Sequence, residues 1–208
     1  IPSFDSLQTL TKYVEDEDVE TEAVFGIVEI STPLSFEFPD EVRTALNAVL
    51  ESQTLKEETR QEARSGLELL DKYGERVVAN WAFAKSPEGW EAVNDSVISN
   101  ENGALVVEST GEDPYIVVDV DIPEQPLLLE FRVKYDNPQA FQFFMKTDRS
   151  EMGEQGTLIT IYPSESNGDW VDYQSVFTPP GNLEQFRFDT STREETVIID
   201  YIRLLKPE

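Results

Sequence analysis

The chain has 208 residues, 39% of them hydrophobic, enough for one sizeable core and a smaller one. It contains no cysteine and no histidine, which excludes disulfides, thiolate metal sites, a Ser-His-Asp triad and imidazole ligation of a metal. Its 42 acidic residues against 16 basic ones give a net charge of −26, so nucleic acid and anionic membrane surfaces are repelled rather than bound.

No apolar run reaches the roughly 18 residues of a transmembrane helix. The opening Ile1-Pro2-Ser3, without Met, reads as a processed or trimmed product and fits an extracytoplasmic location, whether periplasmic, cell-surface or secreted. The acid surplus reads for the most part as a solvated face, suited to saline surroundings or to calcium-binding carboxylates.

In chain order, two grammars follow one another, and they divide the chain into residues 1–79 and 80–208. The acidic run Glu15-Asp16-Glu17-Asp18-Val19-Glu20 reads as an exposed loop. The apolar run from Ala23 to Ile30 and the alternating run from Leu34 to Phe38 read as short strands. Two helices in a hairpin are expected next. Asp40 caps one that carries Val42, Leu46, Val49 and Leu50, and Thr54 caps one that carries Leu55, Ala63, Leu67 and Leu70, with Gly74 ending it in the left-handed conformation.

After Asn80 the helical period gives way to short strands separated by turn residues, which predicts a mainly β fold, an antiparallel sandwich or barrel. The expected strands are Asn80–Ala84, Trp90–Val93, Ala104–Glu108, Tyr115–Asp119, Leu127–Tyr135, Ala140–Thr147, Leu158–Ile161, Tyr173–Phe177, Leu183–Phe188 and Val197–Leu204. Turns are expected at Asn102-Gly103, Gly111-Glu112-Asp113-Pro114, Asn137-Pro138, Asn167-Gly168-Asp169 and Pro179-Pro180-Gly181.

The usual catalytic motifs are absent: there is no Gly-x-Ser-x-Gly elbow, Walker loop, Gly-x-Gly-x-x-Gly fingerprint or Ser-x-x-Lys. Only carboxylate chemistry is left, and among 42 carboxylates some pair at glycosidase spacing is certain to occur, so it carries no information. The chain is therefore read as non-enzymatic.

Several segments, in order, carry a resemblance: Trp81-Ala82-Phe83, Glu88-Gly89-Trp90, Gly103 to Val107, Gly111 to Ile116, Gly168-Asp169-Trp170 and the closing Ile199-Asp200-Tyr201-Ile202. Together they resemble the jelly-roll, galactose-binding-like carbohydrate-binding modules of secreted bacterial proteins, over about residues 80–206. The resemblance implies a jelly-roll β-sandwich, preceded here by the small region of two helices and short strands. It also implies a structural calcium, for which Asp200, Asp119 and Asp121 are the candidate ligands. Ala82 departs from the family pattern, because a carboxylate that ligates calcium often stands between the two aromatics.

Sugar recognition needs flat aromatic faces for the pyranose C–H groups and polar side chains for the hydroxyls. The candidates for those roles are Trp170, Tyr173 and Tyr115, with Gln142, Lys146, Arg149 and Asp169 as polar partners; Trp90 and Tyr162 are further aromatics near strand ends. Trp81, Trp90, Phe131, Phe143, Phe186 and Phe188 read more readily as core. The function expected is a non-catalytic, extracytoplasmic carbohydrate-binding module, part of or partner to a larger secreted enzyme or assembly. The alternative is an accessory subunit that uses the sandwich for contacts with other protein subunits.

Overall fold

The computed structural model describes residues 3–16, 18–35, 38–52, 55–83, 86–136, 140–163, 168–191 and 194–208. They belong to two compact units, Ile1–Asn80 and Trp81–Glu208.

The first unit holds helices α1 (Phe4–Lys12), α2 (Glu20–Leu34), α3 (Pro39–Glu51) and α4 (Glu57–Tyr73). Helix α1 begins where the Ser3 hydroxyl accepts the Ser6 N–H at 3.1 Å. Helix α3 starts on Pro39, whose missing N–H costs nothing at the first position, and Asp40 lies inside the first turn rather than capping it. Lys56 stands at the start of α4; the expected cap Thr54 lies outside the described residues. Gly74 ends α4 at φ 53°, the positive value that favours glycine.

The strand expected over Ala23–Ile30 is not formed, since those residues lie inside α2; of the one expected over Leu34–Phe38, Leu34 is the last residue of α2, and Phe36 and Glu37 lie outside the described residues. A short apolar run does not distinguish a strand from a buried helix. The buried residues here recur at helical spacing, as Ala23, Val24, Ile27, Ser31 and Leu34, while Phe25 between them is exposed. Ser31 costs little in that interior because its hydroxyl donates to the Ile27 carbonyl at 2.6 Å. Val24, Ile27 and Leu34 share a core with Leu7, with Val42, Leu46 and Val49 of α3 and with Ala63 and Leu70 of α4. Gly26 permits the close packing, since a Cβ there would stand 3.0 Å from Leu10 Cδ1.

The strands are β1 (Val77–Trp81), β2 (Glu91–Glu101), β3 (Ala104–Ile122), β4 (Leu127–Lys134), β5 (Phe141–Thr147), β6 (Leu158–Ile161), β7 (Val171–Phe177), β8 (Leu183–Asp189) and β9 (Glu195–Leu205). Antiparallel pairing runs in the order β6-β5-β8-β3-β9-β4-β7, with β2 also on β3. The long strand β3 joins two layers. Its first part pairs with β9, Leu105 to Ile199, and its second part with β8, Ile116 to Phe188.

Between those parts lies a bulged corner, not the separate turn expected at Gly111-Glu112-Asp113-Pro114. Ser96 pairs with Ser109 and Asn94 with Pro114, which leaves residues 110–113 facing Asp95. The Asp95 carboxylate accepts the N–H groups of Glu112 at 3.0 Å and Asp113 at 3.3 Å, supplying the acceptors the ladder lacks there. A Cβ on Gly111 would stand 2.4 Å from Asp95 Cγ, so glycine is required by close approach. The β2–β3 hairpin does turn at Asn102-Gly103, with φ 52° and 78°.

Phe131 of β4 meets Phe141 and Phe143 of β5 and Phe188 of β8 at centroid distances of 5.7, 5.1 and 5.6 Å. These rings come from both layers, so the core lies between them, and the result is a jelly-roll β-sandwich. Strict alternation produces this: along β5, Phe141, Phe143, Met145 and Thr147 are buried while Gln142, Phe144 and Lys146 turn outward.

Candidate functional site

The outward face of the β3-β8-β5-β6 layer gathers the residues with most recognition chemistry. Register places Val117, Arg187, Phe144 and Leu158 in one row across the four strands. The Arg187 guanidinium carbon lies 3.6 Å from the Tyr115 ring centroid and 5.0 Å from that of Phe144. Two carboxylates fix it there. Arg187 Nε and Nη2 donate to Asp189 at 2.5 and 2.6 Å, and Nη2 also donates to Asp113 at 3.0 Å. Asp113 is held in turn by the Asn94 side-chain amide at 2.8 Å, which ties the arginine to the bulged corner.

Burial opposes the charge on both partners, but the balance differs. For Arg187 the hydrogen bond and charge of Asp189, helped by Asp113 and Tyr115, outweigh desolvation and raise its pKa further above the ordinary guanidinium range. For Asp189 desolvation is the larger effect. It raises the carboxyl pKa above the ordinary value against the opposing pull of Arg187, and the like charge of Asp113 adds to the rise.

Of the residues singled out from the sequence, Tyr115, Gln142 and Lys146 meet on this face. Gln142 is in register with Asp189 and Thr160, and Lys146 with Gln185, its ammonium 4.0 Å from Glu184. Arg149 follows β5 and pairs with Glu124 at 2.8 Å. Trp170 and Asp169 lie instead just before β7, in the other layer, where both are exposed. Tyr173 is half-buried: its ring stacks on Phe131 at 5.2 Å and meets Phe141 edge-on, and its hydroxyl pairs with that of Tyr135, so part of its surface packs against the core. Trp90 is also core, 2% exposed against Trp81 and Phe186, whereas Tyr162 is 80% exposed beyond the end of β6.

Sequence reasoning missed Phe144, Arg187, Asp189 and Asp113. A signal for Phe144 exists: it stands in the polar phase of an otherwise regular alternation, where a large aromatic has no core to fill. Arg187 and Asp189 look like ordinary outward residues until the register brings them beside Tyr115.

The three aspartates named for calcium are not gathered. Asp119 accepts from Gln185 Nε2 at 2.8 Å on the β3-β8 side, and Asp200 faces Arg132 Nη1 at 3.5 Å on the β9-β4 side. Among the described residues no group of three or more Asp or Glu side chains is arranged to hold a metal ion. Around Ala82, Glu88 accepts the Ala82 N–H at 2.9 Å and the Asn100 amide donates to the Phe83 carbonyl. These residues do not fit the calcium site that the resemblance implies.

No protein-family model and no curated protein matches the sequence. Solved structures do. The apo CBM1 module of BiXyn10A aligns with a TM-score of 0.50 at 11% identity, over 64% of this chain and 99% of that one. The CBM22-1–GH10 portion of the Clostridium thermocellum endo-1,4-β-D-xylanase 10B, complexed with xylohexaose, aligns with a TM-score of 0.51 at 14% identity, over 64% of this chain and 29% of that one. At such identities the likeness is one of fold. The Trp81–Glu208 unit has the jelly-roll β-sandwich fold of carbohydrate-binding modules.

Proposed function

We propose that the Trp81–Glu208 unit is a non-catalytic module that binds a neutral polysaccharide on the outward face of the β3-β8-β5-β6 layer, outside the cytoplasm and in the service of a larger secreted enzyme or assembly. One observation carries the reading: a guanidinium pinned by carboxylates beside two aromatic rings, Tyr115 and Phe144, makes a strip that is rigid before any ligand arrives. Preorganisation of this kind lowers the entropy lost on binding. Among the described residues Arg187 Nη1 donates to no carboxylate, and Gln142, Lys146 and Gln185 flank the strip with further donors for sugar hydroxyls. The carboxylates Asp113, Asp119 and Asp189 outnumber the cations around it, which disfavours uronate-rich or sulfated glycans. Tethering to an enzyme would raise a weak single-site affinity through effective concentration.

The test is retention of the intact 208-residue chain on insoluble xylan, cellulose and mannan. The reading expects at least one of these to hold the wild type and to hold the Phe144→Ala variant more weakly at unchanged thermal midpoint. Failure of the wild type to bind all three defeats it.

A further inference from the structure

The opposite face of the sandwich repeats the same device. On the outward side of β9-β4-β7, Arg132 stands in register between Asp172 of β7 and Tyr201 of β9. Its guanidinium carbon lies 5.6 Å from the ring centroid of Trp170, which is 38% exposed. Carboxylates flank this arginine too: Asp200 is 3.5 Å from Nη1, and Asp172, 4.0 Å from Nε, accepts the Tyr201 hydroxyl at 2.7 Å. Arg203 then covers the Tyr201 ring at 3.8 Å.

Two rings, each under a guanidinium, therefore lie across three strands, as Tyr115 and Phe144 do on the other side. In register, Arg132 faces Asp172 and Arg203 faces Glu130, and Asp200 lies 3.5 Å from Arg132, so cations here are paired with carboxylates in a chain whose net charge is −26. Separate flat rings spaced by polar pairs do not make the contiguous apolar area of a stable protein interface. They suit a ligand with apolar C–H faces and many hydroxyls.

We propose that this face is a second carbohydrate contact, so that one chain holds two neutral polysaccharide strands, one on each side of the sandwich. The inference rests on the reading of the Tyr115–Arg187–Phe144 face, and its test separates the two. The intact chain is titrated calorimetrically with xylohexaose and with cellohexaose, and is mixed with soluble xylan to score precipitation. A stoichiometry near two hexasaccharides per chain is expected, falling to one in Trp170→Ala, to one in Phe144→Ala and to none in the double variant. Precipitation of xylan is expected from the wild type alone, since a single-site variant cannot cross-link. Tyr201→Ala serves as a second probe should Trp170→Ala melt early, and it too should leave one site.

A wild-type stoichiometry of one that Phe144→Ala abolishes and Trp170→Ala leaves untouched overturns the second contact and keeps the first. Binding of neither hexasaccharide, with no retention on insoluble mannan either, overturns both. Self-association lost in Trp170→Ala at unchanged stoichiometry would make the face a contact between copies of the chain, which likewise contradicts the proposal.

Discussion

Arg187 lies flat on Tyr115, its guanidinium carbon 3.6 Å from the ring centroid, and is held there by Asp189 and Asp113. Its side chain is only 19% exposed and that of Asp189 12%, so Arg187→Ala strands a largely buried carboxylate. A loss on the order of 3 kcal/mol is expected in urea unfolding. A change below about 0.5 kcal/mol, the ordinary range for a surface site, would show that the pair does not fix the strip.

The corner of β3 makes a second prediction. Gly111→Ala forces a methyl into the Asp95 carboxylate, whose position is fixed by two backbone N–H groups, and should cost about 1–3 kcal/mol. In an Asp95→Ala background the carboxylate is gone and only the contact with the residue-95 Cβ at 2.9 Å remains, so the cost of the same substitution should shrink. Equal costs in the two backgrounds, compared by thermal unfolding, would contradict the close approach.

How much of this was legible in the sequence depended on whether the period was local. The alternation in Phe141 to Thr147 and in Leu127 to Lys134 placed those strands within a residue or two, because one buried face enforces a period of two. The residue types at Gly111 to Pro114 predict a turn, yet turn chemistry does not say whether a chain reverses or only bends between layers. In α2 the β-branched run hid a helical stripe that only packing against α3 reveals. The Arg187 cluster needs β3, β5 and β8 side by side, a relation among distant segments that no local pattern contains.

For pH, the raised pKa of Asp189 fixes a sign. The native state binds this proton more readily than the unfolded chain, so the group's contribution falls as pH rises from the ordinary value of 3.8 through the folded pKa, and it is constant above. The thermal midpoint of the wild type minus that of Asp189→Asn should therefore decrease across that window. A difference that increases with pH there would mean that pairing with Arg187, not burial, dominates.

Salt should act through the whole surface. With 42 acidic groups on 208 residues, screening shortens the range of repulsion from about 10 Å at 0.1 M to about 3 Å at 1 M, and the midpoint should climb with sodium chloride. Calcium and magnesium at matched ionic strength should give equal midpoints, given that Asp119 and Asp200 already serve Gln185 and Arg132. A rise specific to calcium would contradict that assignment.

The most direct measurement is the affinity of the intact chain for the polysaccharide it retains, taken on Phe144→Ala and Phe144→Trp beside the wild type. An outward ring in the polar phase of β5 is a platform if it stacks on sugar, and removing such an anchor costs about 1–3 kcal/mol, roughly 5- to 150-fold in affinity. Weakening of that size at this site in Phe144→Ala, with affinity kept or raised in Phe144→Trp, is the expected result. Unchanged affinity in Phe144→Ala, with the domain folded, would contradict the placement of the site on this face.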